Sequence, residues 1–400
     1  MKVLGIVVEY NPFHNGHLYH LEKAKELVNP DVIIAVMSSN FIQRGEPSIV
    51  NKWARTKMAL ENGIDIVFEL PFQFSCNSAE IFAYGAINIL NRIGVTDIVF
   101  GSEIGNINRI ENVAGILAFE EIKFKNSLRS FLEQGYSFPK ARELALKDIY
   151  NINIEFLSNN ILGIEYIKWI LRLNSKIKYY TIQRIGNRYN DTDLSSTISS
   201  ATSIRKYIYL NGLDDYLKNF IPQKSFEILQ EEFINGRGPI KFDNCYSFLL
   251  YRYILADRNI FIDNIDVKEG LENRFAKYIN RSNNVDMLIK NVKSKRYTYT
   301  RLSRIIIHSL IDTKIDNQHI LTQQPYLRVL GFTQTGRNYL NIIKKDLDII
   351  TKIDNKVLKS IYKEQIELEL KASRIYSLLY KNPTEHLLDE YKLKPIYQKN

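Results

Sequence analysis

Cysteine is nearly absent from the 400 residues: only Cys76 and Cys245 occur, far apart in the chain. Two such thiols exclude a disulfide-stapled secreted fold and a thiolate zinc cluster, and they fit a reducing compartment. Long apolar runs are also missing. The run Val3 to Val8 is broken by Glu9, too short and too soon polar for a signal-peptide core or a membrane span, so a cytoplasmic protein without a membrane association is expected. Acidic residues are in deficit, 44 against 54 Lys plus Arg, which leaves a formal charge of +10. Such a surplus suits RNA, an anionic surface or acidic small molecules, and by itself does not choose among them. Hydrophobic residues make up 45% and aromatics 12%, enough for real cores, which excludes disorder.

VLGIVV at 3–8 is a compact apolar run of strand length, and the following Asn11-Pro12 stops a strand and opens a helix. The pattern recurs with VIIAVM at 32–37, DIVFEL at 65–70 and DIVF at 97–100, separated by helix-length stretches around Trp53 to Glu61 and Ala79 to Leu90. KYYTIQ at 178–183 reads as a last strand and Ser200 to Leu210 as the helix after it. Apolar strands alternating with helices predict an α/β fold with a parallel sheet covered on both faces. Beyond about residue 220, Ser225 to Phe233, Asn244 to Ala256 and Tyr362 to Leu379 carry helical spacing and few strand-like runs remain. The chain is therefore expected to divide into an α/β domain over 1–220 and a mostly helical domain over 221–400, with Pro and Gly punctuation near 219–223 and 236–239.

His14, His17 and His20, half of the six histidines, fall within seven residues directly after the first strand. On a helix, His14 and His17 share a face at i and i+3, and Gly16 between them lets a ligand approach the backbone. Free amides at the helix start make an anion site that imidazoles can complete, so the pattern points to a polyphosphate. A zinc site is the weaker alternative, since no third ligand stands nearby and no metal is expected; ordinary surface histidines are the other.

The segment His14-Asn15-Gly16-His17 resembles the signature of the HIGH-containing nucleotidyltransferase superfamily, a Rossmann-like fold that attacks the α-phosphate of ATP and releases pyrophosphate. Ile198-Ser199-Ser200-Ala201-Thr202-Ser203-Ile204-Arg205 is similar to that superfamily's second motif. The resemblance extends to a narrower family. Glu9-Tyr10-Asn11-Pro12, Gln43-Arg44-Gly45-Glu46-Pro47, Lys52-Trp53-Ala54-Arg55, Phe100-Gly101-Ser102-Glu103, Asn159-Asn160-Ile161-Leu162-Gly163 and Lys371-Ala372-Ser373-Arg374 together resemble the bacterial tRNA(Met) cytidine acetate ligases, over essentially the whole chain.

This resemblance implies ATP-dependent activation of acetate to acetyl-adenylate, followed by acetylation of N4 of the wobble cytidine (position 34) of elongator tRNA(Met). It implies an ATP-binding catalytic domain over 1–220 and tRNA binding by 221–400, with Mg2+ carried by the ATP. Catalysis would fall to His14 and His17, stabilising charge on the reacting phosphates. The ATP site would comprise Val7, Val8, Glu9, Tyr10, Asn11, Pro12, Phe13, His14, Asn15, Gly16, His17, Leu18, Tyr19 and His20, with Gly101, Asn160, Arg184 and Ile185. Ser199, Ser200, Thr202 and Arg205 would hold the β- and γ-phosphates, although the same octapeptide is also an ordinary helix cap. Asn160 could equally cap a helix.

Residues 290–304 carry six cations and no acid, interleaved with Tyr297 and Tyr299, a composition suited to a single-stranded RNA loop. Lys293, Lys295 and Arg296 are expected to contact tRNA, as are Arg44, Lys52 and Arg55 near the proposed ATP site. The alternatives are a solvated helix end for the first group, and phosphate binding or helix capping for the second. Two rival functions are a small-molecule adenylyltransferase, which would leave the last 180 or so residues without a purpose, and a non-catalytic RNA-binding protein, which would have no need of His14, Gly16, His17 and Arg205. An aminoacyl-tRNA synthetase would carry a lysine-rich loop where ISSATSIR stands.

Overall fold

β1 (Val3–Val8) is apolar on both faces because it runs through the middle of a sheet covered on both sides. The computed structural model describes residues 1–184, 199–262, 264, 266–267, 270–314 and 317–399. After β1 come α1 (Asn15–Val28) and β2 (Val32–Ser38), which lies parallel to β1 with Val3 opposite Val32 and Val8 opposite Met37. A short hairpin, β3 (Phe41–Ile42) with β4 (Glu46–Pro47), leads to α2 (Lys52–Glu61) and β5 (Ile66–Leu70). Next stand α3 (Phe72–Ser75), α4 (Ala79–Arg92) and β6 (Asp97–Ser102). The helices α5 (Ile107–Ala118), α6 (Ile122–Glu133), α7 (Phe138–Tyr150) and α8 (Ser158–Arg172) separate β6 from β7 (Lys178–Gln183). α9 (Ala201–Asn211) and α10 (Gln223–Ile234) follow.

The strands expected from the sequence thus form one parallel array in the order β5-β2-β1-β6-β7. This doubly wound order reverses between β1 and β6, and a crevice opens there at the carboxyl ends of the strands. One apolar core packs α4, α5 and α8 on one face of the sheet; a second packs α1, α2, α9 and α10 on the other. Close approach of α4 needs Gly5, since a Cβ there would stand 2.8 Å from Leu90 and 2.9 Å from Val95.

The second half departs from the expected division. α11 (Tyr246–Ala256), α12 (Asn259–Ile262), α13 (Leu271–Ile279), α14 (Val285–Val292) and α15 (Tyr299–Ile311) do form a helical bundle with its own core. After α16 (Asn317–Ile320), however, the chain returns to the sheet. β8 (Leu327–Thr333) pairs antiparallel with β5, and after α17 (Gln334–Ile343) the short β9 (Ile349–Ile350) pairs with β8. α18 (Lys363–Ser377) and α19 (Asp389–Lys392) precede β10 (Ile396–Gln398), which closes the sheet beside β8. A boundary at 220 therefore does not separate the sheet from the helices: residues 327–398 complete the α/β layer. No helix among the described residues is long and apolar enough to cross a membrane.

Candidate active site

The crevice at the β1–β6 switch is a cleft of about 240 Å³. Its first wall is the loop after β1, where Tyr10 takes a φ of +48°, a conformation rare for a bulky side chain and found where structure over-determines the backbone. Asn11 makes two of the bonds that hold this loop. The Asn11 side-chain carbonyl accepts the Ile49 amide at 2.7 Å, and the Asn11 backbone carbonyl accepts Arg205 Nη1 at 2.8 Å.

α1 then starts with a reciprocal pair of imidazoles. His14 is the N-cap, its Nδ1 accepting the Gly16 amide at 3.0 Å, while His17 Nδ1 accepts the His14 amide at 3.3 Å. The ring centroids lie 3.8 Å apart. Because each Nδ1 accepts a backbone N–H, the neutral rings carry their proton on Nε2. Burial, then Arg184 and Arg205, hold His14 down to about 3; burial, then His14 and Arg184, hold His17 well below the usual range. Burial and Arg184 hold His20 down to about 4, and its Nε2 is buried without a partner among the described residues. Both His14 and His17 line the cleft as neutral N–H donors, suited to phosphate oxygens and unsuited to proton abstraction. Among the described residues no three His, Cys, Asp or Glu side chains are grouped to hold a metal.

Neutral burial of these rings gives the fold an acid sensitivity of known sign. The unfolded histidines take up protons from about pH 6.5 downward, whereas folded His14 and His20 do so only near 3 and 4. Stability is therefore complete above that window and falls as pH drops through it. Between pH 7 and pH 5 the expected loss approaches ~2 kcal/mol for each ring, at 1.4 kcal/mol per pH unit. His14→Asn, which can still cap the helix, should flatten the decline in urea-unfolding free energy; an equal slope in both proteins would refute this origin.

The expected ATP residues divide by position. Val7, Val8, Glu9, Tyr10, Asn11, Gly16, Tyr19, His20, Gly101 and Arg184 line the cleft with the two histidines. Phe13 is instead buried in the core with Pro12 beside it, and Leu18 packs against that core. Asn15 ties α1 to the next layer, its amide and side chain donating to the carbonyls of Phe220 and Asn219, each at 2.9 Å. Gly101 ends β6; a Cβ there would meet only Arg184 at 3.4 Å and His20 at 3.9 Å, so the protein alone does not demand glycine, while a ligand against this strand end would. Asn160 turns its side chain to the protein. Its Oδ1 accepts the amides of Glu103 (3.0 Å) and Ile104 (3.2 Å), and its Nδ2 donates to the Glu155 carbonyl, so it shapes the loop after β6. Ile185 lies outside the described residues.

The second motif faces the histidines across the cleft. Ser200 caps α9, its Oγ accepting the Ser203 amide at 3.1 Å, and Ser199, Ser200, Thr202 and Arg205 all line the cavity. Arg205 is buried between the Asn11 carbonyl and Glu46, 3.7 Å away.

Two of the residues expected to meet RNA require correction. Lys52 and Arg55 are both fully buried, because α10 and the returning β8 and β10 cover α2. Lys52 Nζ sits among Glu69, Glu369 (2.8 Å) and Glu390 (3.1 Å), and Arg55 donates to the carbonyls of Glu9 (2.6 Å) and Ser39. Arg44 is a cleft residue, its Nη2 donating to Ser158 Oγ at 2.8 Å. Lys293 and Lys295 are exposed, while Arg296 is half-buried and donates to the Leu132 carbonyl at 3.3 Å. Of the neighbouring cations, Arg301 and Arg304 are engaged by Asp266.

Sequence reading missed one strip of the cleft. Ser158, Leu162 and Tyr166 recur at i, i+4 and i+8 on α8 and line the cavity with Phe82 of α4. The spacing was a visible helical stripe, but a stripe of that kind also describes an ordinary core face. Gly163 allows α8 to ride on Phe100, whose ring a Cβ would strike.

The profile of the HIGH Nucleotidyl Transferase family matches residues 1–390. The chain is 56% identical, over 99% of both sequences, to a tRNA(Met) cytidine acetate ligase of Caldicellulosiruptor bescii, and 46% identical, over 97% of both, to one of Thermosipho melanesiensis. Among solved structures it is similar to apo Thermotoga maritima TmcAL, with a TM-score of 0.94 and 39% identity over the whole of both chains. The crystal structure of that protein bound with alpha-thio ATP gives a TM-score of 0.91. Paired imidazoles after β1, a hydroxyl-rich helix start opposite them and a match along nearly the full chain agree: this chain belongs to the HIGH nucleotidyl transferase family.

Proposed function

We propose that the chain is an ATP-dependent tRNA(Met) cytidine acetate ligase, which forms acetyl-adenylate and acetylates N4 of the wobble cytidine of elongator tRNA(Met). The observation that carries this reading is the pair of neutral Nε2–H donors of His14 and His17 in a cleft shared with the 199–205 motif. Identity of 56% to a ligase of that name over the full length supports the substrate, and leaves no unexplained second half for a small-molecule adenylyltransferase.

In the first step an acetate oxygen bonds to the α-phosphorus as the bond to the bridging oxygen breaks, and pyrophosphate leaves with the electron pair. Charge grows on the phosphoryl oxygens, where preorganised N–H donors act most strongly in a water-poor cleft. His14 and His17 serve the α-phosphate; Ser199, Ser200, Thr202 and the start of α9 serve the departing pyrophosphate, with Arg205 holding the Asn11 loop in register. Gly101 and Arg184 border the nucleoside, and Asn160 acts as a positioning residue for the loop beside it. Mg2+ enters with the phosphates as part of the ATP substrate. In the second step the cytosine N4 lone pair attacks the acetyl carbon, AMP departs with the bonding pair, and N4 loses a proton.

The route for RNA runs past the β3–β4 hairpin. A Cβ on Gly45 would collide with the backbone of Ser303 and Arg304, so α15 lies against the hairpin that carries Arg44 into the cleft. The basic turn 293–296 precedes α15, and its exposed Lys293 and Lys295 are free to meet tRNA phosphates.

The test is incubation with ATP, magnesium, isotope-labelled acetate and unmodified tRNA, followed by nucleoside mass analysis. Labelled N4-acetylcytidine in elongator tRNA(Met) is the expected result; ATP cleavage without it would refute the acceptor. Changing Lys293, Lys295 and Arg296 together to Ala should weaken tRNA binding and reduce its salt slope by two to three units, at about 0.7 to 0.9 for each phosphate that is no longer neutralised. An unchanged slope would remove the turn from the interface.

A further inference from the structure

One side of the cleft is lined by apolar residues that are not assigned to the nucleotide. It lies toward α4 and α8, where Leu162 and Tyr166 of α8 and Phe82 of α4 meet Phe100 of β6. Its side chains are nearly buried: Phe82 is 2% exposed, Tyr166 4% and Phe100 6%. Tyr166 lines it, and its hydroxyl makes no hydrogen bond among the described residues and is open to the cleft. An O–H open to the cleft can donate to a ligand acceptor. At the rim stands the Arg44 guanidinium, braced by Ser158 at 2.8 Å. The nearby Glu9 carboxylate accepts the Gln43 amide at 2.9 Å, which turns one of its oxygens toward the hairpin.

We propose that this side of the cleft binds the acetate co-substrate and sets the length of the acyl chain. The Tyr166 hydroxyl donates to one carboxylate oxygen, Arg44 balances the charge, and the methyl group lies against Phe82 and Leu162. The second carboxylate oxygen stays free to bond to the α-phosphorus as pyrophosphate leaves with its electron pair; no proton is transferred. An apolar wall with one O–H donor and one guanidinium is the recognition chemistry of a short alkyl carboxylate. The inference rests on the ligase reading above and adds the residues that select its carboxylate.

Acetate-dependent ATP–pyrophosphate exchange, run without tRNA, tests it. Tyr166→Phe should raise half-saturating acetate about 10- to 100-fold, the effect of losing a hydrogen bond to a charged group, while half-saturating ATP and the melting temperature stay as in the parent. Leu162→Ala should shift the propionate-to-acetate preference about 10-fold or more toward propionate. If Tyr166→Phe leaves half-saturating acetate unchanged, or weakens ATP equally, the carboxylate is not bound here. If the parent enzyme exchanges with acetate and Leu162→Ala folds but keeps the parental preference, the length selection is wrong. A parent showing no carboxylate-dependent exchange at all would instead overturn the ligase reading, and the pocket with it.

Discussion

Replacing His17 by alanine is expected to lower acetyl-adenylate formation about 10²- to 10³-fold, the scale of removing one preorganised donor from a developing anion. The effect should be seen in acetate-dependent ATP–pyrophosphate exchange, with tRNA affinity kept within about twofold. Two roles are lost together in this variant. His17 Nε2–H is withdrawn from the cleft, and the His14 amide loses the Nδ1 that accepts it at 3.3 Å. The second loss is a capping bond worth ~1 kcal/mol, too small to unfold the domain. His17→Asn separates the roles, because its carbonyl can accept the His14 amide while its shorter side chain does not carry a donor to the same point. It should melt close to the parent and remain nearly as inactive as the alanine variant. Normal acetyl-adenylate formation by His17→Ala would remove this histidine from the chemistry.

Legibility in the sequence followed how local each interaction is. Four of the five parallel strands, β1, β2, β5 and β6, were readable because they are mostly apolar and short loops separate them from helices. His14 and His17 were readable because their contacts are with each other's backbone, three residues apart. β8 was not. Its sequence, LRVLGFT, holds Arg328 within an apolar run, and only Glu69 and Glu390, 259 and 62 residues distant, make that charge tolerable inside. Lys52 and Arg55 misled for the same reason: on a sequence they are surface cations, and the groups that bury them come from elements far along the chain. The loop contacts of Asn160 were not legible, because the Glu103 and Ile104 amides it accepts lie 57 and 56 residues away.

Those distant partners make Lys52 the most consequential cation for stability. Lys52→Met is expected to destabilise the protein by ~3 to 5 kcal/mol, the range for breaking a buried ion pair from one side. Lys52 and Arg328 together face Glu69, Glu369 and Glu390, so the cluster already holds one more acid than base. Burial and the neighbouring Glu69 push Glu369 up, whereas Lys52 and Arg328 outweigh burial and hold Glu390 down. Without Lys52, Arg328 alone opposes three buried carboxylates, and the pKa values of Glu369 and Glu390, which Lys52 holds down, rise in the folded state. A carboxyl raised on folding binds more protons in the folded than in the unfolded chain, so stability falls as pH climbs past its unfolded value. The damage should therefore be smaller at pH 5.5 than at pH 8. Adding Glu369→Gln removes one of the surplus charges and should restore part of the loss at pH 8 while changing little at pH 5.5. The network joins α2 and β5 to β8, α18 and α19, so hydrogen exchange in Lys52→Met should rise first across residues 327–398, where the chain re-enters the sheet. Urea unfolding at the two pH values reads the energetic part. A Lys52→Met midpoint equal to the parent's at pH 8 would mean that these five charges do not hold the carboxy-terminal strands to the fold.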